Sequence, residues 1–195
     1  MTVPPALMAR VVADSADRAA WRKTRERGLG ASDAAKWAKL ESVPLYIKAK
    51  LSDHFEGNDY TRHGNAREAV ILRQYRIAQN TLMFHSASNP RFFATPDGVE
   101  LDAKGHVMLA EAKTSSKEMG KTPATYYRQM QWAMFVCDAD RDLFVFEEHV
   151  RFQPAAMEPQ SRWIYRDEAE IRRLVTIAEL ILEGIDAAEQ FRSTL

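Results

Sequence analysis

The spacing of apolar and polar positions divides the chain into a helical N-terminal stretch, a middle block of short strands and a C-terminal half that alternates helix and strand. Residues 5–25 read as a helix with an Arg-rich end. Gly28-Leu29-Gly30-Ala31-Ser32-Asp33 interrupts it, and Ser32 or Asp33 is placed to cap a helix over 33–40. Pro44 opens a short helix over 45–51, and residues 52–59 form a polar loop. A longer helix follows over 61–78, in which Glu68, Leu72 and Tyr75 recur at i, i+4 and i+7 and so share one face. A carboxylate aligned with two large apolar side chains is expected to face inward.

Strand-like runs occupy 81–86, 91–95 and 98–101, and Asp102-Ala103-Lys104-Gly105 turns the chain into a strand over 106–114. Thr122 is placed to cap, and Pro123 to start, a helix running to about 136. Strands are expected over 143–149 and 162–166. Asp167 and Glu170 have the spacing of a capping box, opening a terminal helix with Ile171, Leu174, Ile177 or Ala178, Ile181 and Ile185 on its apolar side. No repeat, low-complexity tract or Gly/Ser/Pro-rich linker appears, so 1–195 is taken as a single domain. This order predicts an α/β (α+β) domain with a central mixed sheet flanked by helices.

With 46% apolar and 28% charged residues, the composition is that of an ordinary globular protein. The single cysteine, Cys137, leaves no disulfide framework within one chain and no four-cysteine zinc or iron–sulfur site. The lack of a signal-like N-terminus or a membrane-length apolar run leads us to expect a cytoplasmic protein. The 27 basic and 27 acidic residues cancel, which is not the footprint of a protein that coats nucleic acid by bulk charge. DNA binding is not excluded, because an enzyme that binds divalent metals needs carboxylates in its site, and these offset basic residues elsewhere. The basic residues do cluster, at Arg22, Lys23, Arg25 and Arg27.

The candidate chemistry lies in Thr95-Pro96-Asp97-Gly98 and Ala110-Glu111-Ala112-Lys113. Residues two apart on a strand project to the same side, so Glu111 and Lys113 point together and Ala112 away. Pro96 ends one strand and leaves Asp97 at a turn. If the flanking strands pair as a hairpin, Asp97 comes beside Glu111. Two carboxylates converging at strand ends suit Mg²⁺ or Mn²⁺, and a nearby lysine can hold a water or stabilise a phosphate oxygen. The plainer alternatives are a solvated edge pair and an ordinary turn. The apolar run Val107 to Ala110 argues instead for a central strand, where unpaired charges are costly.

With these blocks in view, the sequence resembles the YqaJ-type viral recombinases, the family of phage lambda exonuclease within the PD-(D/E)XK nuclease superfamily. The resemblance runs from Trp21 to the last helix. Its blocks are Trp21 to Ser32, His63-Gly64 to Glu68, Ala94 to Gly98, Glu111 to Lys113, and Tyr126-Tyr127-Arg128-Gln129-Met130-Gln131-Trp132. It implies a restriction-endonuclease-like core, with Asp97, Glu111 and the main-chain carbonyl of Ala112 as metal ligands and Lys113 positioning the attacking water. By the same resemblance Glu68 is an outer ligand or water-holder, Gln129 a site residue, and Tyr126 and Gln131 possible supports. The alternatives are a dipole-favoured acid for Glu68 and a merely polar helix position for Gln129.

Arg25 and Ser32 match the family's pocket for a terminal 5′-phosphate. A Gly-rich loop at a helix N-terminus offers amides to phosphate, and a guanidinium adds bidentate contacts. A plain N-cap and a solvated charge are the alternatives. The expected function is a Mg²⁺-dependent 5′-to-3′ exonuclease on double-stranded DNA ends, with Mn²⁺ able to substitute. Its product would be a 3′ single strand for annealing-type phage recombination. The rivals are a structure-specific endonuclease and a catalytically silent DNA-binding protein on the same fold. The resemblance further implies a homo-oligomer, a trimeric ring, with a single-strand annealing protein as partner and a phage or prophage origin. The five histidines show no metal-binding spacing, no phosphate-binding G-x-x-x-x-G-K loop is present, and Cys137 and the Trp132, Met134, Phe135 cluster read as core.

Overall fold

The computed structural model describes residues 3–26, 28–52, 59–116, 119–151 and 153–194, with the backbone alone for 59–66. Most of the polar loop expected over 52–59 lies outside the described residues, as do Arg27, His54 and the side chain of His63. The stretch expected to be one helix over 5–25 is three elements: α1 (Pro5–Met8), β1 (Val11–Asp14) and α2 (Arg18–Glu26). Asp17 divides them, its Oδ1 accepting the amides of Ala19 and Ala20 at 3.2 and 3.1 Å as an N-cap. Val11 and Val12 have neutral helix propensity but gain a partner strand elsewhere in the chain, and that pairing overrides the local pattern.

After β2 (Leu29–Gly30) come a 3₁₀ turn at Ala31–Asp33, a second at Leu40–Ser42, then α3 (Val43–Ser52) and α4 (Asp59–Gln74). The helix expected over 33–40 does not form. Asp33 makes no cap, because its carboxylate is engaged by Arg25 and Lys36, and Ala34, Trp37 and Ala38 are buried in an irregular turn. β3 (Leu82–His85) and β4 (Phe92–Ala94) follow. These strands build a first sheet in the order β1-β3-β4-β2, whose two outermost strands the hydrophobic pattern did not reveal.

The second sheet is the expected mixed one. β5 (Gly98–Leu101) pairs antiparallel with β6 (Val107–Ser115), Gly98 opposite Ala110. β6 runs parallel to β7 (Arg141–Val150), with Glu111 opposite Phe144. The crossover is α5 (Ala124–Cys137), as a parallel connection requires. Beyond β7 lie β8 (Gln153–Pro154), a short hairpin partner, and β9 (Gln160–Tyr165), which pairs antiparallel along β7. β6 is therefore central, as its apolar run indicated.

The pleat sorts β6 and β7 between two cores. Leu109, Phe144 and Phe146 join the main core with Trp37, Phe92, Trp132 and the terminal helix α6 (Glu168–Ser193). Ala110, Ala112 and Val145 face the other way, against Ile71 and Leu72 of α4. Glu111 and Lys113 share the side of Leu109 by strand alternation. Trp132 is the centre of the main core, edge-on to both Trp37 and Phe92 at 5.0 Å between centroids. Cys137 is buried, and burial pushes its thiol pKa up, so it is inert. Asp167 caps α6 through the amides of Ala169 and Glu170. The reciprocal half of the capping box is absent: Glu170 pairs with Arg128 and Arg173, and the Asp167 amide donates to Gln131 at 2.8 Å. Nor does Thr122 cap α5, whose N-cap is Pro123 with no side-chain bond.

Candidate active site

Asp97 is placed by the turn that enters β5. Asn80 is buried and holds that turn from below: its side-chain amide donates to the Pro96 carbonyl at 2.8 Å, and its backbone amide to the Asp97 carbonyl at 2.7 Å. Gly98 is needed for space, since a Cβ there would stand 2.5 Å from Ile77 Cγ2 and 3.1 Å from Ala110 Cβ. The close approach brings the Asp97 carboxylate across the hairpin, where Oδ2 accepts the Ala112 amide at 2.8 Å. The expected hairpin thus places Asp97 beside Glu111.

Glu111 is 1% exposed. Its Oε1 accepts from both Lys113 Nζ and Gln129 Nε2, so the strand and helix α5 meet on one carboxylate oxygen. Lys113 also lies 3.3 Å from the Ala112 carbonyl oxygen and 5.8 Å from the centre of the Tyr126 ring. Tyr126 in turn packs on Phe144 at 5.8 Å, so it walls the site. Glu68 comes from α4, half-buried, within the electrostatic reach of Asp97 and Lys113.

Burial raises the pKa values of all three carboxylates. Glu111 is pushed up to about 8 by burial and by Asp97, and Glu68 to about 7 by burial and by Asp97. Asp97 is raised by burial, partly offset by Lys113 and the Ala112 amide. Burial alone would discharge Lys113, but Glu111 and Asp97 outweigh it and keep the side chain an ammonium. One cation against three carboxylates leaves an excess of negative charge that a divalent cation would relieve. Asp97, Glu111 and the Ala112 carbonyl supply hard oxygens suited to Mg²⁺ or Mn²⁺. Among the described residues no three Asp, Glu, His or Cys side chains form a cage of their own.

The structure also gathers a second cluster. Arg25 donates to Ser32 Oγ at 2.9 Å and to Asp33 at 2.7 Å, and stacks on Trp21 at 4.7 Å. Lys50 donates to the Arg25 carbonyl at 2.6 Å, its pKa lowered to about 8 by burial. Arg25 and Ser32, the two residues that match the family's phosphate pocket, are therefore in direct contact. The helix N-terminus expected behind them is only a three-residue 3₁₀ turn. Positive charge comes instead from Arg25, Lys36 and Lys50 around Asp33. Against the cost of burial, they hold its carboxyl below the usual range.

Gln131 is not part of the site. It is fully buried, its amide donating to the Tyr165 carbonyl at 2.8 Å while its oxygen accepts the Asp167 amide, so it joins α5 to the β9–α6 junction. Two features escaped the sequence pattern. Asp142 falls just before the strand expected over 143–149, but β7 begins at Arg141 and carries it inside. It is fully buried, neither oxygen has a hydrogen-bond partner among the described residues, and burial and Glu111 raise its pKa. Glu147 and His149, alternate residues of β7, are buried beneath the half-buried Arg67 of α4. A run of polar residues at alternate positions of a predicted strand was the only signal for them.

A mixed sheet with two carboxylates and a lysine converging on its central hairpin defines a PD-(D/E)XK-type nuclease fold. The YqaJ-like viral recombinase domain matches residues 20–140, and the chain belongs to that family. Among solved structures it is similar to an alkaline exonuclease, LHK-Exo, from Laribacter hongkongensis, with TM-score 0.74 and 23% identity over 89% of this chain and 95% of that one. The complex of LHK-Exo with dAMP gives TM-score 0.75 and 22% identity, over the same shares of the two chains. A phage-related exonuclease from Haemophilus somnus 129PT gives TM-score 0.61 and 18% identity, over 83% and 96%. No curated protein sequence matches the chain.

Proposed function

We propose that this protein is a Mg²⁺-dependent exonuclease that hydrolyses one strand of duplex DNA from its 5′ end. The observation that carries the reading is the convergence of Asp97, Glu111, Lys113 and Gln129 at the end of a buried central strand. Family membership and the likeness to exonuclease structures support it.

Asp97 and Glu111 would hold the cation, with the Ala112 carbonyl, and Glu68 would hold water at its outer side. The cation would neutralise charge developing on the phosphate and acidify bound water. Lys113, kept an ammonium by its neighbours, donates to and orients the attacking water or a phosphate oxygen; it is not the base. Glu68, whose carboxyl burial and Asp97 raise above the usual range, would be the group that accepts the proton. Gln129 fixes Glu111 from the opposite side. The Arg25–Ser32 cluster would receive a terminal 5′-phosphate, which must compete with Asp33 for the guanidinium. The 3′ strand left behind would suit an annealing protein.

The chain's zero net charge gives a weak grip on DNA at physiological salt. A ring of copies around the duplex, a trimer by family resemblance, would supply the grip by enclosure. The deciding experiment is digestion of linear duplexes bearing a 5′-phosphate or a 5′-hydroxyl, beside closed circles, with and without Mg²⁺. Metal-dependent loss of the linear substrates, with circles intact, is the expected result. Nicking of circles would favour a structure-specific endonuclease, and no cleavage a silent DNA-binding protein.

A further inference from the structure

Arg67 and Glu147 lock α4 to β7 one residue from Glu68. Arg67 Nε donates to Glu147 Oε1 at 3.0 Å and Nη2 to Oε2 at 2.7 Å, a two-point fork. His149 Nε2 meets Glu147 Oε1 at 2.7 Å, and Glu147 is 3% exposed. The fork and the His149 contact outweigh burial and hold the Glu147 carboxyl below its usual range.

A buried ion pair contributes little net stability over a well-packed apolar pair, because desolvation offsets the attraction. What a two-point fork supplies is orientation. Arg67 lies one turn before Ile71, and Glu68 one turn before Leu72, so the helix presents two neighbouring rows. Ile71 and Leu72 pack against Ala110, Ala112 and Val145, an apolar contact that is not directional and so does not by itself set the roll of α4. Glu147 lies two residues beyond Val145 on the same side of β7. Tying Arg67 there fixes the roll, and with it the direction of Glu68 toward Lys113 and Asp97.

We propose that Arg67, Glu147 and His149 form a positioning clamp whose function is to aim Glu68 into the metal site. The inference rests on the metal-dependent reading above. The test is calorimetric titration of the full chain with Mn²⁺ for Arg67→Met, the milder Glu147→Gln, Glu68→Gln, and the double variants with Glu68→Gln. Cooperative melting confirms folding in each case. Each clamp variant is expected to weaken Mn²⁺ binding about tenfold, the loss typical of an outer-sphere partner, and to cause no further loss when Glu68 is already Gln. A clamp variant that folds and binds Mn²⁺ like the wild type overturns the proposal. So does an equal loss with and without Glu68, which would mark a general structural role. If Arg67→Met fails to fold, Glu147→Gln decides by the same criteria. A wild-type chain that neither binds Mn²⁺ nor cleaves DNA overturns the metal-dependent reading itself, and the clamp with it.

Discussion

The Asp97 carboxylate accepts the amide of Ala112 at 2.8 Å across the β5–β6 hairpin, which sets it beside Glu111 on the neighbouring strand. That one bond makes a turn residue and a strand residue into a pair. It also spends one carboxylate oxygen on the backbone, leaving the other, with Glu111, for the proposed cation.

Lys113→Ala should lower cleavage by about 10²–10⁴-fold, the range for loss of a positioned proton donor or acceptor, while leaving the fold intact. Rates at saturating Mg²⁺ measure this, with melting curves as the control. Near-wild-type turnover would remove Lys113 from the chemistry.

The metal-free protein should lose stability as pH rises. Glu111 and Glu68 have folded pKa values of about 8 and about 7 against an ordinary value of 4.5. The folded state therefore holds protons that the unfolded chain has released, and stability declines from about pH 5 to about pH 8. Mn²⁺ affinity should rise over the same interval, because binding displaces those protons. Melting temperatures across this range, with and without Mn²⁺, are the measurement. A metal-free melting point that climbs toward pH 8 would contradict the assignment.

Gln129 and Gln131 should separate cleanly. Gln131→Ala breaks two buried hydrogen bonds and should cost about 2–3 kcal/mol of stability, with activity per folded molecule retained. Gln129→Ala should slow cleavage with little change in melting, since its partner is Glu111. Chemical denaturation and steady-state rates on both variants decide. The reverse pattern would exchange their roles.

Asp142→Leu should stabilise the protein by about 1–3 kcal/mol, the cost of burying a polar group without a hydrogen bond. The gain should grow with pH, because the raised folded pKa penalises Asp142 progressively above its unfolded value. Denaturation at pH 6 and pH 9 tests it. A destabilised variant would mean that the carboxyl has a structural partner of its own.

Arg25→Ala should slow digestion of 5′-phosphorylated ends by about tenfold to a hundredfold, the worth of a charge-assisted contact. Ends with a 5′-hydroxyl should be affected little. Equal slowing of both would make Arg25 a structural or general phosphate contact, through Asp33 or the DNA backbone.

Sequence alone determined the elements whose signals are local. Strand alternation placed Glu111 and Lys113 on one side and Ala112 on the other, Pro96 and Gly98 marked the turn at Asp97, and the apolar stripe of Ile171 to Ile185 specified α6. It also put Glu68 in line with Leu72. Long-range contact decided the rest. Val11–Asp14 became a strand because β3 was available to pair with it, and the helix after Ser32 gave way when Arg25 and Lys36 claimed Asp33. Gln131, two residues from Gln129 in the same motif, turned inward to serve the backbone of the β9–α6 junction. The burial of Asp142 and the Arg67–Glu147–His149 cluster were settled the same way: Arg67 and Glu147 lie 80 residues apart, and only the packed sheet shows whether a polar residue meets water, a cation, another side chain or, as at Asp142, no hydrogen-bond partner among the described residues.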